Sequence, residues 1–163
     1  MRPAIGIDPG LEGALVLIRD SCEVLFRETP IFKAAKGRKE YNLPGMLDVL
    51  RELRALAPEA TTWLEHVQAF PKNGSIGNFK LGRGSGLWEM ALVASNASHE
   101  LVRPQRWKGA VLDGAPKTPQ GEAAVAARLY PHAARELVGP KGGLRQGRVD
   151  ALLIAHFGAR RIS

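Results

Sequence analysis

Three carboxylates stand out because each interrupts apolar surroundings. Asp8 closes the run Ala4-Ile5-Gly6-Ile7 and is followed at once by Pro9-Gly10; Glu65 sits in the strand-like segment 60–67; Asp150 leads into Ala151-Leu152-Leu153-Ile154. Carboxylates brought together in such settings repel one another and take up protons unless a cation holds them, so their natural companion is a divalent metal. Oxygen-only donors select hard ions, Mg²⁺ with Mn²⁺ as a substitute, and these ions also bind phosphate. Taken singly, each acid also has an ordinary structural reading. Asp8 suits a turn, Glu65 suits pairing with an arginine, and Asp150 suits the start of a helix, where the dipole favours negative charge.

The elements that must position these acids can be read from periodicity. Residues 4–7, 13–18 and 23–28 are short apolar or alternating runs separated by turns at Pro9-Gly10 and Arg19–Ser21, which predicts an antiparallel meander. Alternation puts Ile5 and Ile7 on one face and Gly6 and Asp8 on the other, so a glycine clears space beside the acid. Leu43, Leu47, Leu50, Leu53 and Ala57 have helical spacing, with Pro44 in the first turn and Pro58 beyond the end. Segments 60–67 and 99–102 read as further strands, and 105–112 as a short helix carrying Trp107 and Lys108. Thr118 caps a helix to about Leu129, with Glu122 near its first turn. Gly139–Gly147 reads as a linker and Arg148–Arg161 as a final helix.

Two stretches lack clear periodicity. Pro30–Glu40 carries four basic side chains around Gly37 and reads as a mobile, solvated basic loop. Phe70–Gly86 reads as a loop in which Phe70 and Phe79 lie among Lys72, Lys80 and Arg83, a mixture that suits stacking on bases while contacting phosphates. The helix expected over Leu87–Ala97 is apolar on two faces, Trp88, Ala91, Leu92 and Ser95 on one, Met90, Val93, Ala94 and Ala97 on the other. The second face fits a subunit interface.

Composition bounds the rest. The chain has 163 residues, 45% of them hydrophobic, enough for one domain over 1–163 with a core of its own. Lys and Arg number 23 against 16 Asp and Glu, a formal charge of +7 that favours a polyanionic partner. The single cysteine, Cys22, leaves no intrachain disulfide or cysteine metal site, and no apolar run reaches the roughly 18 residues of a membrane span, so an intracellular, cytoplasmic location is expected.

Five stretches then carry a resemblance across nearly the whole chain: Gly6-Ile7-Asp8-Pro9-Gly10, Leu64-Glu65-His66-Val67-Gln68-Ala69-Phe70-Pro71, Gly82-Arg83-Gly84-Ser85-Gly86-Leu87, Arg103-Pro104-Gln105-Arg106-Trp107-Lys108, and Gly147-Arg148-Val149-Asp150-Ala151-Leu152-Leu153-Ile154-Ala155. In this order they resemble the RuvC-like Holliday junction resolvases, especially those of phages. The resemblance implies an α/β, RNase H-like fold: a five-stranded mixed sheet, an antiparallel meander plus two parallel strands, flanked by helices. It implies a homodimeric, Mg²⁺-dependent endodeoxyribonuclease acting on four-way DNA junctions in a bacterium or a phage-infected host, with no membrane and no small-molecule cofactor. By position Asp8, Glu65 and Asp150 resemble its catalytic, metal-binding acids, serving two ions per site. Phe70 resembles the aromatic that relatives use at the junction, and Lys72, Asn73, Lys80, Arg83, Lys108, Arg145 and Arg148 are expected to contact phosphates.

One position departs from the pattern. Phage-type relatives place an Asp where this chain has Gln146, which can ligate through its carbonyl oxygen but brings no charge. Two other readings therefore stand beside the first: an RNase H-like nuclease for other branched DNA or RNA–DNA hybrids, and a catalytically weakened junction-binding protein. An actin-like kinase or ATPase shares the acid-bearing first hairpin, but the glycine-rich phosphate-binding second hairpin it needs is missing.

Overall fold

The computed structural model describes residues 1–20, 22–33 and 35–161, with the side chain of Arg161 left out; Ser21, in the turn expected at Arg19–Ser21, lies outside them. Elements follow as β1 (Ala4–Ile7), β2 (Ala14–Ile18), β3 (Val24–Glu28), β4 (Ile31–Lys33), β5 (Lys39–Tyr41), α1 (Leu43–Leu56), β6 (Thr61–Glu65), α2 (Gly74–Ala94), β7 (His99–Val102), α3 (Pro104–Val111), α4 (Pro119–Leu129) and α5 (Gln146–Arg161). One-turn 3₁₀ segments occupy Ala35–Gly37 and Pro71–Asn73, and a longer one spans Pro131–Leu137.

Five strands form one mixed sheet in the order β3-β2-β1-β6-β7. The first three are antiparallel, whereas β1 pairs parallel with β6 and β6 with β7. This is the expected meander plus two parallel strands. β1 and β2 are wholly buried apolar runs because both faces of the sheet are covered. Ile5, Ile7, Leu15 and Leu17 pack with Leu50, Leu53, Trp88 and Leu92 of α1 and α2 on one face. Ala4, Val16, Ile18 and Trp63 pack with Trp107, Val125, Leu152 and Phe157 of α3, α4 and α5 on the other.

Glycine sets how closely α5 lies on the sheet. A Cβ on Gly6 would stand 2.2 Å from the Ala151 carbonyl oxygen and 2.4 Å from the Ala155 nitrogen, so only glycine lets the helix axis cross β1 at this point.

Two expectations need correction. The basic stretch Pro30–Glu40 is not simply a loop: β4 and β5 pair as a two-stranded hairpin with Ile31 opposite Tyr41. Each strand is only three residues long, too short to show alternation. The Phe70–Gly86 stretch is not a loop followed by a helix from Leu87; α2 runs unbroken from Gly74 to Ala94. One of its glycines, Gly84, marks a close approach. A Cβ on Gly84 would lie 2.2 Å from the Tyr41 hydroxyl and 2.5 Å from the Pro9 carbonyl oxygen.

The cap expected at Thr118 holds: it accepts from the Gly121 N–H at 3.2 Å to start α4. Asn42, not foreseen as a cap, accepts from the Gly45 N–H at 3.0 Å to start α1. No helix among the described residues is long and apolar enough to cross a membrane.

Candidate active site

Register brings the first two acids together. β1 and β6 run parallel with Ile7 opposite Leu64, so the next residues, Asp8 and Glu65, leave the same end of neighbouring strands on the same face. α5 covers that face. Its contact with Gly6 sets its first turns, and Asp150 with them, at the tip of β1. Three acids separated by 57 and 85 residues therefore share one edge of the sheet.

Their charges act on one another. Burial raises the Asp8 carboxyl to about 7, with the nearby Glu65 charge adding to the effect. Burial raises Asp150 to about 8, the Asp8 charge being the next contributor. Glu65 is also raised by burial, opposed by a hydrogen bond from the Trp107 indole N–H to its Oε1 at 2.9 Å. Asp8 in addition accepts from the Gly10 N–H at 3.2 Å, so it forms the turn as well as facing the site. The partner foreseen for Glu65 among the arginines is in fact a tryptophan.

A fourth acid completes the cluster and was not anticipated. Glu122 in the first turn of α4 is 2% exposed; its Oε1 accepts from Lys108 Nζ at 2.7 Å and its Oε2 from Gln146 Nε2 at 2.8 Å. Gln146 Nε2 also donates to Asp150 Oδ1 at 2.9 Å. Its place in the sequence says only that it lies near a first turn. The available signal was helical spacing, since Val125 and Ala126, three and four residues on, are core side chains on the same face.

Lys108 stands at the centre of the charge balance. Burial alone would pull its ammonium down, but the Glu122 hydrogen bond and the charges of Asp150 and Glu65 hold it above the ordinary value. Its Nζ also lies 5.0 Å from the Trp107 ring centroid. Lys108 is therefore a member of the acid cluster itself.

The remaining predicted contacts divide. Phe70 is 45% exposed, and Asn78 clamps its backbone, accepting from its N–H and donating to its carbonyl oxygen, each at 3.0 Å. Lys72, Asn73, Lys80 and Arg83 are exposed, and none of the four has a carboxylate partner among the described residues. Lys80 and Arg83 join Arg38 and Phe79 around a cavity of about 460 Å³ between the hairpin and α2. Arg145 pairs with Glu28 at 3.3 Å. Arg148 differs from expectation: its guanidinium is turned inward, paired with Glu28 at 2.6 Å and with Glu136, and stacked 5.2 Å from the Phe26 ring. It braces α5 against β3.

The donors suit a hard divalent cation. All are oxygens, and the Gln146 carbonyl oxygen is buried with no hydrogen-bond partner. As they stand, no three His, Cys, Asp or Glu side chains among the described residues are drawn close enough to hold an ion.

A parallel-plus-antiparallel five-stranded sheet with flanking helices is the RNase H-like architecture. Among solved structures the chain is similar to "T. thermophilus RuvC in complex with Holliday junction substrate", with a TM-score of 0.64, 16% identity, and coverage of 99% of this chain and 96% of that one. It is similar also to "Thermus thermophilus RuvC structure", with a TM-score of 0.59, 17% identity, and coverage of 98% and 96%. The fold is thus that of RuvC. No protein-family model matches the chain, and neither does any curated protein.

Proposed function

We propose that this protein is a divalent-metal-dependent endonuclease that resolves four-way DNA junctions. The observation that carries this reading is the convergence of Asp8, Glu65 and Asp150 on one edge of a RuvC-like sheet, with unpaired cations on the adjoining surface. Asp8, Glu65 and Asp150, with the Gln146 carbonyl in reserve, would hold the Mg²⁺ ions. Metal bound there would supply activation of a water for attack and stabilisation of the departing 3′ oxygen, so that 5′-phosphate and 3′-hydroxyl ends would result.

The chain's own residues do the positioning. Trp107 fixes the Glu65 carboxylate, and Gln146 fixes that of Asp150. Lys108 offers positive charge to a phosphate entering the cluster. Lys72, Lys80 and Arg83 hold the backbone, and Phe70, clamped by Asn78 with its ring outward, is set to stack on an unpaired base.

Paired nicks on opposing strands call for a twofold dimer. The exposed face of α2 supports one, with Met90 62% and Val93 56% exposed beside an apolar groove lined by Leu43, Leu47 and Leu87.

The test is a panel of four-way junction, flap, linear duplex and RNA–DNA hybrid, each in Mg²⁺ and in Mn²⁺, with Asp8→Asn, Glu65→Gln and Asp150→Asn alongside. Symmetric junction cleavage by the parent, abolished in all three variants, is expected. Preferred cleavage of hybrid or flap would move the reading to another nuclease of this fold. Tight junction binding without cleavage in either metal would make the protein a binding module.

A further inference from the structure

Among the described residues Glu122 is the most enclosed charged side chain, and neither of its oxygens is free. One holds the Lys108 ammonium, the other the Gln146 amide, and that same amide nitrogen gives its second hydrogen to Asp150. Carboxylates only accept, so two of them on one nitrogen fix which way the amide faces. The result is a continuous polar chain from Asp150 through Gln146 and Glu122 to Lys108, whose neighbour Trp107 holds Glu65. An acid in the first turn of a helix gains from the dipole while fully solvated. Burying it costs more than that gain unless charge and hydrogen bonds compensate, so this burial needs another reason.

We propose that Glu122 is a positioning residue of the metal-dependent site and works with Gln146 as one unit, Glu122 anchoring Lys108 and the amide locking the side chain of Asp150. The inference rests on the nuclease reading above. It explains why an amide occupies position 146. With Glu122 in place, a carboxylate at 146 would set three acceptors together with no donor between them. Exchanging the two groups, an amide at 122 and an acid at 146, would keep a contact between them but leave Asp150 facing an acid with no N–H to give it.

That exchange is the test. E122Q, Q146E and the double variant E122Q/Q146E of the full chain are compared with the parent by thermal melts, by Mn²⁺ affinity from the free-Mn²⁺ EPR signal, and by single-turnover junction cleavage. Each single change is expected to weaken Mn²⁺ binding and cleavage by about 10- to 100-fold, as for other residues that orient metal ligands. The double variant is expected to regain part of the Tm lost in the singles, the non-additivity of groups acting through one contact, but neither the Mn²⁺ affinity nor the cleavage, because Asp150 has lost its donor.

Parent-like Mn²⁺ affinity and cleavage in a folded E122Q would overturn the proposal. So would a double variant with parent-like Mn²⁺ affinity and cleavage, since Asp150 has no amide donor in it. If E122Q melts below the assay temperature, Q146M and Q146E carry the test together, because both keep Glu122 and remove the amide donor, while Q146E keeps an oxygen at 146. Loss of Mn²⁺ affinity and cleavage in both supports the proposal, and retention in either overturns it. A parent that binds Mn²⁺ yet cuts no junction would sink the nuclease reading alone, and the Mn²⁺ titrations would still decide the pair. A parent that binds no Mn²⁺ would overturn both.

Discussion

Trp107 donates its indole N–H to Glu65 at 2.9 Å, from a ring that is itself wholly buried in the core beneath α3. The Glu65 carboxylate is thereby aimed by a core side chain, and its ionisation is tied to that contact. Trp107→Phe keeps most of the packing and removes the donor. Glu65 should then titrate higher, so the acid limb of the cleavage pH profile should move to higher pH. Removing the hydrogen bond should cost about 1 kcal/mol of stability. A pH–rate profile beside a denaturant melt checks both, and an unmoved acid limb would show that the indole does not govern Glu65.

The raised carboxyls make the metal-free protein sensitive to alkali. Asp8 near 7 and Asp150 near 8 lie above their unfolded value of 3.8, so the folded state binds more protons than the unfolded one across that interval. Stability is therefore full below about pH 4 as far as these groups are concerned, and falls as pH rises through 7 and 8. Asp150→Asn removes the burial cost of the charge. Its Tm in chelator should exceed the parent's by about 5 °C or more at pH 8, with little difference at pH 5. Adding Mg²⁺ should raise the Tm of the parent at pH 8 and leave the variant nearly unchanged.

Exposed and internal cations should behave differently. Lys80→Ala and Arg83→Ala should each weaken junction binding and lower the salt slope by about 0.9 for every phosphate no longer neutralised. Arg148→Ala should instead lower stability by about 1 kcal/mol, since it removes a nearly buried guanidinium whose partners, Glu28 and Glu136, are more than half exposed and return to water. Salt titrations of binding in Ca²⁺, paired with melts, separate the two patterns.

Met90→Asp places a charge in the middle of the exposed apolar face of α2 without touching the core behind it. The variant should sediment as a monomer at concentrations where the parent is a dimer, and should nick junctions on one strand at a time. A parent that is monomeric at tens of micromolar while resolving junctions symmetrically would overturn the dimer.

The amino-acid sequence by itself determined the five strands of the main sheet, most of the helices and three of the acids. Apolar runs of four or five residues and helical spacing record which faces are buried, and an acid that breaks such a run is visible in one dimension. The hairpin misled because its strands are too short to alternate, and Gly84 of α2 because its cause lies elsewhere in the chain. Gly84 is there because Tyr41 and Pro9 press against it, and Tyr41 is held by its hydroxyl bond to the Pro9 carbonyl at 3.0 Å. Only the tertiary structure decided that Glu122 is buried, that Lys108 belongs to the acid cluster and that Arg148 faces inward. Each of those outcomes depends on a partner 14 to 120 residues away. A local pattern carries the burial of a residue's own face, but it carries nothing about which distant charge will be waiting there.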